Sequence, residues 1–290
     1  PSDKSNYGMF TRLAELSQTR VHEILEEAQI DQSSKIGRAF RSFMDESAIE
    51  AAGMTPLAPW LGEIAAIQDK AAYAALVGKG ERYNVIGPVG TYVDQDSKAP
   101  TQYALTLVQA GLGLPDRDYY LKADDADLTE AREAYRAHLA RMFELAGMDN
   151  PAARADAVLA FETKLAEAHW TRVDSRDADK TYNKVALADF DGRTSGFDYS
   201  AYLEAYGAAP AEVIVAQPSA LEGTAQVIAD TPLDVLKDHL VARTFESYAP
   251  YLSQPFVDAN FDFYQRTLSG TPENEERWKR GADFVSNILG

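Results

Sequence analysis

Histidines and acidic side chains are the first candidates for catalysis, because the chain contains no cysteine. A zinc hydrolase needs two imidazoles one helical turn apart and a carboxylate base, as in a His-Glu-x-x-His helix. The four histidines, His22, His138, His169 and His239, are all far apart in the sequence. His22 begins such a pattern, but Glu26 stands where the second histidine belongs. The residues alone therefore predict no metal site and no catalytic residue in this chain.

Other common site motifs are also absent from the sequence. The stretch Val77-Gly78-Lys79-Gly80 lacks the upstream glycine and the Ser/Thr of a phosphate-binding loop. The stretch Asp189-Phe190-Asp191-Gly192 places its glycine too early for a calcium loop. No Gly-x-Ser-x-Gly elbow for a serine nucleophile occurs. The stretches Val77–Gly80 and Gly111-Leu112-Gly113 are therefore predicted to be turns.

The amino-acid composition of the chain limits the classes of partner that it can bind. Asp and Glu number 45 against 28 Lys and Arg, for a net charge of −17, which repels nucleic-acid phosphates and anionic lipid headgroups. No apolar run approaches the roughly 20 residues that a membrane helix needs. The absence of cysteine excludes a disulfide scaffold and a thiolate zinc site. We therefore expect no nucleic-acid partner and no membrane span in this chain.

Hydrophobic spacing predicts the elements that position any site. Residues 7–76 show apolar stripes at helical spacing, which return at 135–169 and from Leu233 onward. Between 85 and 114 the alternation Tyr103, Leu105, Leu107 and the turn signals predict a short hairpin. Glycine and proline interrupt the window 181–232, in which Glu212–Val215 has a strand-like pattern. The pattern predicts a mainly α chain with two small β insertions.

The segment Leu114-Pro115-Asp116-Arg117-Asp118-Tyr119-Tyr120 is the most distinctive in the chain. Proline stops the preceding strand, either aspartate can cap a turn, and Arg117 can bridge acids on both sides. The paired tyrosines can pack with their hydroxyls directed outward. A structural role is favoured, with ligand contact as the alternative.

This segment closely resembles the LPDRDYY-type stretch of neprilysin-type zinc metallopeptidases, the family that includes endothelin-converting enzymes and bacterial oligoendopeptidases. Further resemblances follow in the same order along the chain, so the similarity extends from about Tyr7 to Gly290. They are Ser42–Glu46 with Gly53 and Pro56-Leu57, Phe161-Glu162, Leu165-Ala166, His169-Trp170, Arg176-Asp177, Lys180–Asn183, Thr231–Leu233 with Lys237, and Arg277–Arg280.

The resemblance implies a multi-helix lid domain of a zincin-like metallopeptidase. Residues 1–180 would form the helical lid, with a hairpin near 85–114. Residues 181–232 would be a Gly/Pro-rich excursion that packs on the catalytic domain, and residues 233–290 would be helices that return to the lid. Such a lid admits peptides and excludes folded proteins and water from the cleft.

In this family the His-Glu-x-x-His helix follows the helix that Arg277–Arg280 resembles, beyond Gly290. The resemblance therefore implies a zinc metalloendopeptidase that hydrolyses small peptides by attack of metal-activated water. Its zinc would be supplied by a second, C-terminal catalytic chain carrying His-Glu-x-x-His, in a heteromeric complex. The alternative is a non-catalytic peptide-binding or scaffold protein derived from the same fold.

The family places substrate-facing residues near the N-terminus, which here selects Phe10, Asn6 and Arg12 as substrate-binding candidates. Phe10 matches the aromatic residue that helps line the S1′ pocket, with core packing as the alternative. Neprilysin carries arginines that bind a peptide's terminal carboxylate at the positions of Asn6 and Ala14. Arg12 is the nearby arginine, but helical spacing turns it away from both positions. Endopeptidase action is therefore preferred over release of carboxylate-anchored dipeptides.

The resemblance also gives an expectation for the compartment. A chain that begins at Pro1 resembles a trimmed, mature product, and family members with such a start are often exported. The expectation is a bacterial periplasmic or extracytoplasmic protein, with the cytoplasm as the alternative.

Overall fold

A computed structural model describes residues 8–289, which form two compact units. One unit comprises the described residues up to Pro56 together with those from Tyr248 onward, and the other comprises Leu57–Ser247. The helices are α1 (Met9–Ile30), α2 (Lys35–Met44), α3 (Glu46–Ala52), α4 (Ala58–Ala66), α5 (Lys70–Glu81), α6 (Asp118–Leu121), α7 (Ala126–Leu145), α8 (Pro151–Ala168), α9 (Leu187–Asp191), α10 (Tyr199–Tyr206), α11 (Pro218–Asp230), α12 (Leu233–Tyr248), α13 (Gln254–Asn260) and α14 (Arg277–Leu289). The mainly α fold with small β insertions is confirmed. The predicted boundaries at residues 180 and 232 stay a prediction, because they concern which segments face a catalytic domain.

The first unit is built on α1, α2 and α14. Their core contains Leu25, Phe40, Ala282 and Val285, all at most 6% exposed. Ser34 caps α2 by accepting a hydrogen bond from the Gly37 amide at 3.1 Å, which satisfies one of the free amides at the helix start. A π-helical turn, Phe261–Thr267, continues from α13.

The second unit combines helices with a small mixed sheet. Its strands are β1 (Val89–Gln95), β2 (Tyr103–Gln109), β3 (Lys184–Ala186) and β4 (Glu212–Val215), in the order β1-β2-β4-β3. Strands β1 and β2 form the antiparallel hairpin, and β4 pairs parallel with β2 and antiparallel with β3. The sheet thus joins the hairpin to the window 181–232, two parts of the chain that sequence patterns treated separately.

Helix pairs complete the second unit. Helices α7 and α8 pack together, and so do α5 and α10. The second pair approaches so closely that a Cβ on Gly78 would lie 1.9 Å from the carbonyl oxygen of Tyr202. Only glycine permits this backbone contact. The turn predicted at Val77–Gly80 is therefore wrong, because α5 continues to Glu81 and its glycines serve close helix packing. Within residues 8–289, no helix has both the length and the apolar character required to cross a bilayer.

Candidate functional site

The predicted substrate-binding residues lie at the chain's start. Asn6 lies outside the described residues, whereas Phe10 and Arg12 lie in the first turns of α1. Phe10 is 89% exposed, so the alternative of core packing is wrong for this side chain. Arg12 is also exposed but lies two positions further along, about 200° around the helix axis. The structure therefore does not bring these two side chains together on one face.

Phe10 belongs to an exposed apolar surface of α1. Met9, Leu13 and Leu16 accompany it and are 68%, 56% and 50% exposed. These four residues, the α1 apolar face, cover one side of the helix start at three- and four-residue spacing. The side that packs on the core of the first unit is carried by other residues, among them Leu25 at 2% exposure. An exposed apolar surface of this kind is typical of a binding or docking surface.

His22 has structural partners rather than a metal-binding arrangement. Its ring stacks on Trp278 with a centroid distance of 4.3 Å, and its Nε2 lies 3.3 Å from Glu26. No group of three His, Asp or Glu side chains that could hold a metal ion occurs between residues 8 and 289. The described residues therefore do not fit a zinc ion.

The distinctive segment Leu114–Tyr120 lies over a buried carboxylate, Glu162 of α8, which is 0% exposed. Tyr120 donates its hydroxyl hydrogen to Glu162 at 2.5 Å, and Tyr135 of α7 does so at 3.0 Å. The Gly113 amide also donates to this carboxylate, at 3.2 Å. A Cβ on Gly113 would lie 1.9 Å from the Tyr135 hydroxyl, so this approach requires glycine. We call these groups, with His239, the Glu162 network.

His239 completes the Glu162 network from α12. Its Nε2 donates to the Gly111 carbonyl at 2.8 Å and lies 3.5 Å from Glu162. Burial, together with the nearby Arg243 guanidinium, lowers the pKa of His239 to about 3. The imidazole is thus neutral at pH 7 and supports the loop as a hydrogen-bond donor.

Burial also governs the acidic members of the Glu162 network. It raises the pKa of Glu162 to about 7, although Arg243 and the hydrogen bonds from Tyr120, Gly113 and Tyr135 act in the opposite direction. Burial and the adjacent carboxylate raise the pKa of Tyr120 well above its usual value. Both groups are closed off from solvent, so they cannot exchange protons with a bound substrate. The hydrogen bonds of the Glu162 network instead hold the backbone from Gly111 to Tyr120 in one conformation.

The structure corrects two expectations for this segment. The Tyr120 hydroxyl points inward to Glu162, because a buried carboxylate requires donors, and not outward. Arg117 does not bridge two acids; its Nε donates to the Ala166 carbonyl at 3.1 Å. The expected aspartate cap is confirmed, since Asp116 accepts the Asp118 amide hydrogen at 2.8 Å. The Glu162 network was not predicted from the sequence. The available signal was the position of Glu162 on the apolar face of α8 that carries Val158, Phe161 and Leu165.

A family model described as "Peptidase family M13" matches residues 1–290. The chain belongs to peptidase family M13. Its match covers every described part of the molecule, including the α1 apolar face and the Glu162 network. The predicted resemblance to neprilysin-type metallopeptidases is therefore confirmed.

Individual M13 relatives agree with this assignment. An endothelin-converting enzyme homolog of Locusta migratoria is 26% identical over 317 residues, which cover 100% of this chain and 43% of the relative. Endothelin-converting enzyme-like 1 of Homo sapiens is 26% identical and matches 95% of this chain and 38% of its own length. The chain thus spans less than half the length of these relatives.

Solved structures show the same fold. The zinc metalloprotease Zmp1 of Mycobacterium tuberculosis, in complex with an inhibitor, is 36% identical with a TM-score of 0.95, covering 100% of this chain and 46% of that one. The same protein in an open state gives a TM-score of 0.91. PepO from Lactobacillus rhamnosis is 20% identical with a TM-score of 0.82, which supports the fold alone.

Proposed function

We propose that this chain is the lid-bearing portion of a zinc metalloendopeptidase that hydrolyses small peptides. The observation that carries this proposal is the match of the whole chain to family M13, supported by 36% identity and a TM-score of 0.95 to a zinc metalloprotease bound to an inhibitor. That relative is also solved in an open state, which supports a role in opening and closing over a peptide. The contribution of this chain is to bind the peptide and exclude water during the reaction.

The proposed enzyme holds its zinc with residues outside these 290. Support comes from the described residues, in which no cluster of His, Asp or Glu could bind a metal. In its narrower form, the proposal places the zinc ligands on a second chain that carries His-Glu-x-x-His, in a heteromeric complex. Zinc supplies a Lewis acid and an activated water to such enzymes when it is bound.

Zinc analysis and a cleavage assay test this proposal. The protein purified from its source should contain zinc, cleave a quenched fluorescent peptide and lose that activity with a chelator. Electrophoresis of the active material under denaturing conditions separates a second chain from one longer polypeptide. A zinc-free, inactive protein that still binds peptides would overturn the proposal and favour a non-catalytic scaffold of the same fold.

The α1 apolar face is proposed to contact the substrate, with Phe10 beside the residue that follows the scissile bond. An 89% exposed ring with three apolar neighbours supports this assignment, because its burial by a peptide would be favourable. Asn6 is proposed to contact a polar group of the peptide. Arg12 lies on another side of α1 from Phe10, so its proposed contact is with a polar group away from the residue that follows the scissile bond. Neither is proposed to hold a terminal carboxylate, so the action is that of an endopeptidase.

Substitution of Phe10 tests its role in the complete active enzyme. Phe10→Ala should remove on the order of 1–3 kcal/mol of transition-state binding, roughly 5- to 150-fold in kcat/KM, on a peptide with a large apolar P1′ residue. Ile30→Ala is the matched control, because Ile30 is 84% exposed at the other end of the same helix. Equal kcat/KM for both variants and the parent enzyme would refute the assignment of Phe10.

The proposed compartment is the bacterial periplasm or another extracytoplasmic space, with the cytoplasm as the alternative. Cell fractionation with markers for each compartment decides between them. Recovery of the protein and its activity with cytoplasmic markers alone would contradict the proposed export.

A further inference from the structure

A cleft of about 370 Å³ lies on the outer side of the segment Leu114–Tyr120. Its lining includes Ala110, which directly follows β2, Pro115 and Arg117 of the segment, and residues that follow α8. We call it the His169 cleft, defined by Arg117, His169, Trp170, Arg172 and Ser175. Its volume falls in the range of small-molecule sites, roughly 300–1,000 Å³.

His169 brings a buried hydrogen-bond acceptor to this cleft. The side chain is only 6% exposed, and its Nε2 has no hydrogen-bond partner within residues 8–289. The ring donates a hydrogen bond to the Ala110 backbone, and Nδ1 must be the donor because Nε2 has no partner. Burial and the nearby Arg117 lower the pKa of His169 to about 4, so the ring is neutral at pH 7. Nε2 therefore carries a lone pair that requires a donor.

A second polar atom in the cleft is also without a partner. The Ser175 hydroxyl oxygen is buried and makes no hydrogen bond in the described part of the chain. Buried polar atoms nearly always have partners, so each exception needs an explanation, of which a bound ligand, water or ion is one. Two such atoms in the lining of one cleft point to a molecule that satisfies both.

The charges that line the cleft favour an anion. Arg117, Arg172 and Arg243 contribute three guanidinium groups, whereas Asp116 contributes one carboxylate. Asp116 already pairs with Arg172 at 3.3 Å, and Arg243 pairs with Glu246. Arg172 is 65% exposed and is free to reorient toward a ligand. Guanidinium groups bind carboxylates through paired hydrogen bonds.

Hydrogen bonds hold the cleft wall in place. The Trp170 amide donates to the Gln109 side chain at 2.7 Å, and that side chain donates back to the Trp170 carbonyl at 3.1 Å. The Trp170 indole donates to Ser219 at 2.7 Å. The apolar ring and the buried imidazole beside it are thus positioned before any ligand arrives, which reduces the entropic cost of binding.

We propose that the His169 cleft binds an N-acylated amino acid, either free or as the C-terminal residue of a peptide. The carboxylate would lie against Arg117 and Arg172, the ligand N–H would donate to His169 Nε2, and the Ser175 hydroxyl would donate to a ligand oxygen. This inference uses only the chemistry of the cleft and does not depend on the proposed peptidase activity.

Calorimetric titration of the full-length protein with N-acetylalanine tests the inference. Saturable binding is expected at millimolar or lower concentration. The amide of N-acetylalanine, which lacks the charge, and N-acetyl-N-methylalanine, which lacks the N–H, should each bind about tenfold more weakly or not at all. An acetylated alanine tripeptide separates the two sources, because tighter binding than N-acetylalanine indicates peptide C-termini and equal binding indicates the free acid.

Variants place the ligand in the cleft. Arg172→Gln and Ser175→Ala should each weaken N-acetylalanine binding by about fivefold to tenfold. Arg141→Gln is the matched control, because Arg141 is 51% exposed and pairs with Glu144 at 2.7 Å on α7. The ¹⁵N resonance of His169 Nε2 should shift with N-acetylalanine and stay unchanged with the N-methylated probe. Absence of saturable binding, or equal binding by both cleft variants and the control, would overturn the inference and leave ordered water as the occupant.

Discussion

The α1 apolar face and the Glu162 network distribute polar and apolar groups in opposite ways. In α1, the large apolar side chains of Phe10 and Leu13 lie in solvent, at 89% and 56% exposure. In the network, a carboxylate and an imidazole, Glu162 and His239, are both 0% exposed. Burial of apolar surface stabilises the folded protein. Burial of a carboxylate destabilises it unless the carboxylate is hydrogen-bonded.

This difference indicates a structural role for the Glu162 network and a binding role for the α1 apolar face. Within the Glu162 network, two tyrosine hydroxyls and one backbone amide satisfy the carboxylate, so this carboxylate needs no donor from another molecule. The side chains of the α1 apolar face are not buried by their own unit. Their burial becomes stabilising only when another molecule or segment covers them. We therefore expect substitutions in the network to change stability and those in the face to change binding.

Removing the buried carboxylate should have the largest effect. Glu162→Leu leaves the Tyr120 and Tyr135 hydroxyls and the Gly113 amide without their acceptor, and should lower the free energy of unfolding by about 3–5 kcal/mol. Urea unfolding of the full-length protein, followed by circular dichroism, measures this change. A loss of less than about 1 kcal/mol would show that the network is not a main source of stability.

Crowding the same site should have a smaller effect. Gly113→Ala places a methyl group 1.9 Å from the Tyr135 hydroxyl and should displace this hydroxyl from Glu162. We expect a loss of about 1–3 kcal/mol in the free energy of unfolding. The double variant with Tyr135→Phe tests the cause, because the two losses should then be clearly less than additive. Strict additivity would contradict the proposed contact.

The pH dependence of stability should change when Glu162 cannot ionise. The pKa of Glu162 rises from its usual 4.5 to about 7 in the folded state, so its stabilising contribution is present below about pH 4.5 and is lost as pH rises through about 7. Glu162→Gln should remove a pH-dependent loss of about 2–3 kcal/mol between pH 5 and pH 8. Comparison of urea unfolding at pH 5 and pH 8 for both proteins measures it. An identical pH dependence in the two proteins would show that this carboxyl is not the cause.

Substitutions in the α1 apolar face should have the smallest effect on stability. Leu13→Ser and Leu16→Ser should each change the free energy of unfolding by less than about 0.5 kcal/mol, because both side chains are at least half exposed. Leu25→Ala on the buried side of α1 is the control and should cost about 2–5 kcal/mol. A large loss for the serine variants would show that the face is covered in the folded protein and would remove the basis of the comparison.

Local spacing in the sequence already determines much of the fold. The apolar stripe with Val158, Phe161 and Leu165 predicts α8, and the alternation of Tyr103, Leu105 and Leu107 predicts β2, because helices and strands repeat at fixed periods. The segment Leu114–Tyr120 and the further resemblances in the same order along the chain together indicate the family, because an ordered set of motifs is specific. The Asp116 cap is also predictable from the sequence, because an aspartate side chain commonly accepts a hydrogen bond from the backbone amide two residues later, here that of Asp118.

Only the tertiary structure decided what these residues do. The parallel pairing of β2 with β4 joins strands more than a hundred residues apart, and no local period encodes such a contact. Tyr120 turns inward because Glu162 of another helix lies 2.5 Å from its hydroxyl. His169 lines a cleft formed by four separate parts of the chain. In each case the partner is distant in sequence, and burial, charge and hydrogen bonding depend on which side chains the fold brings together.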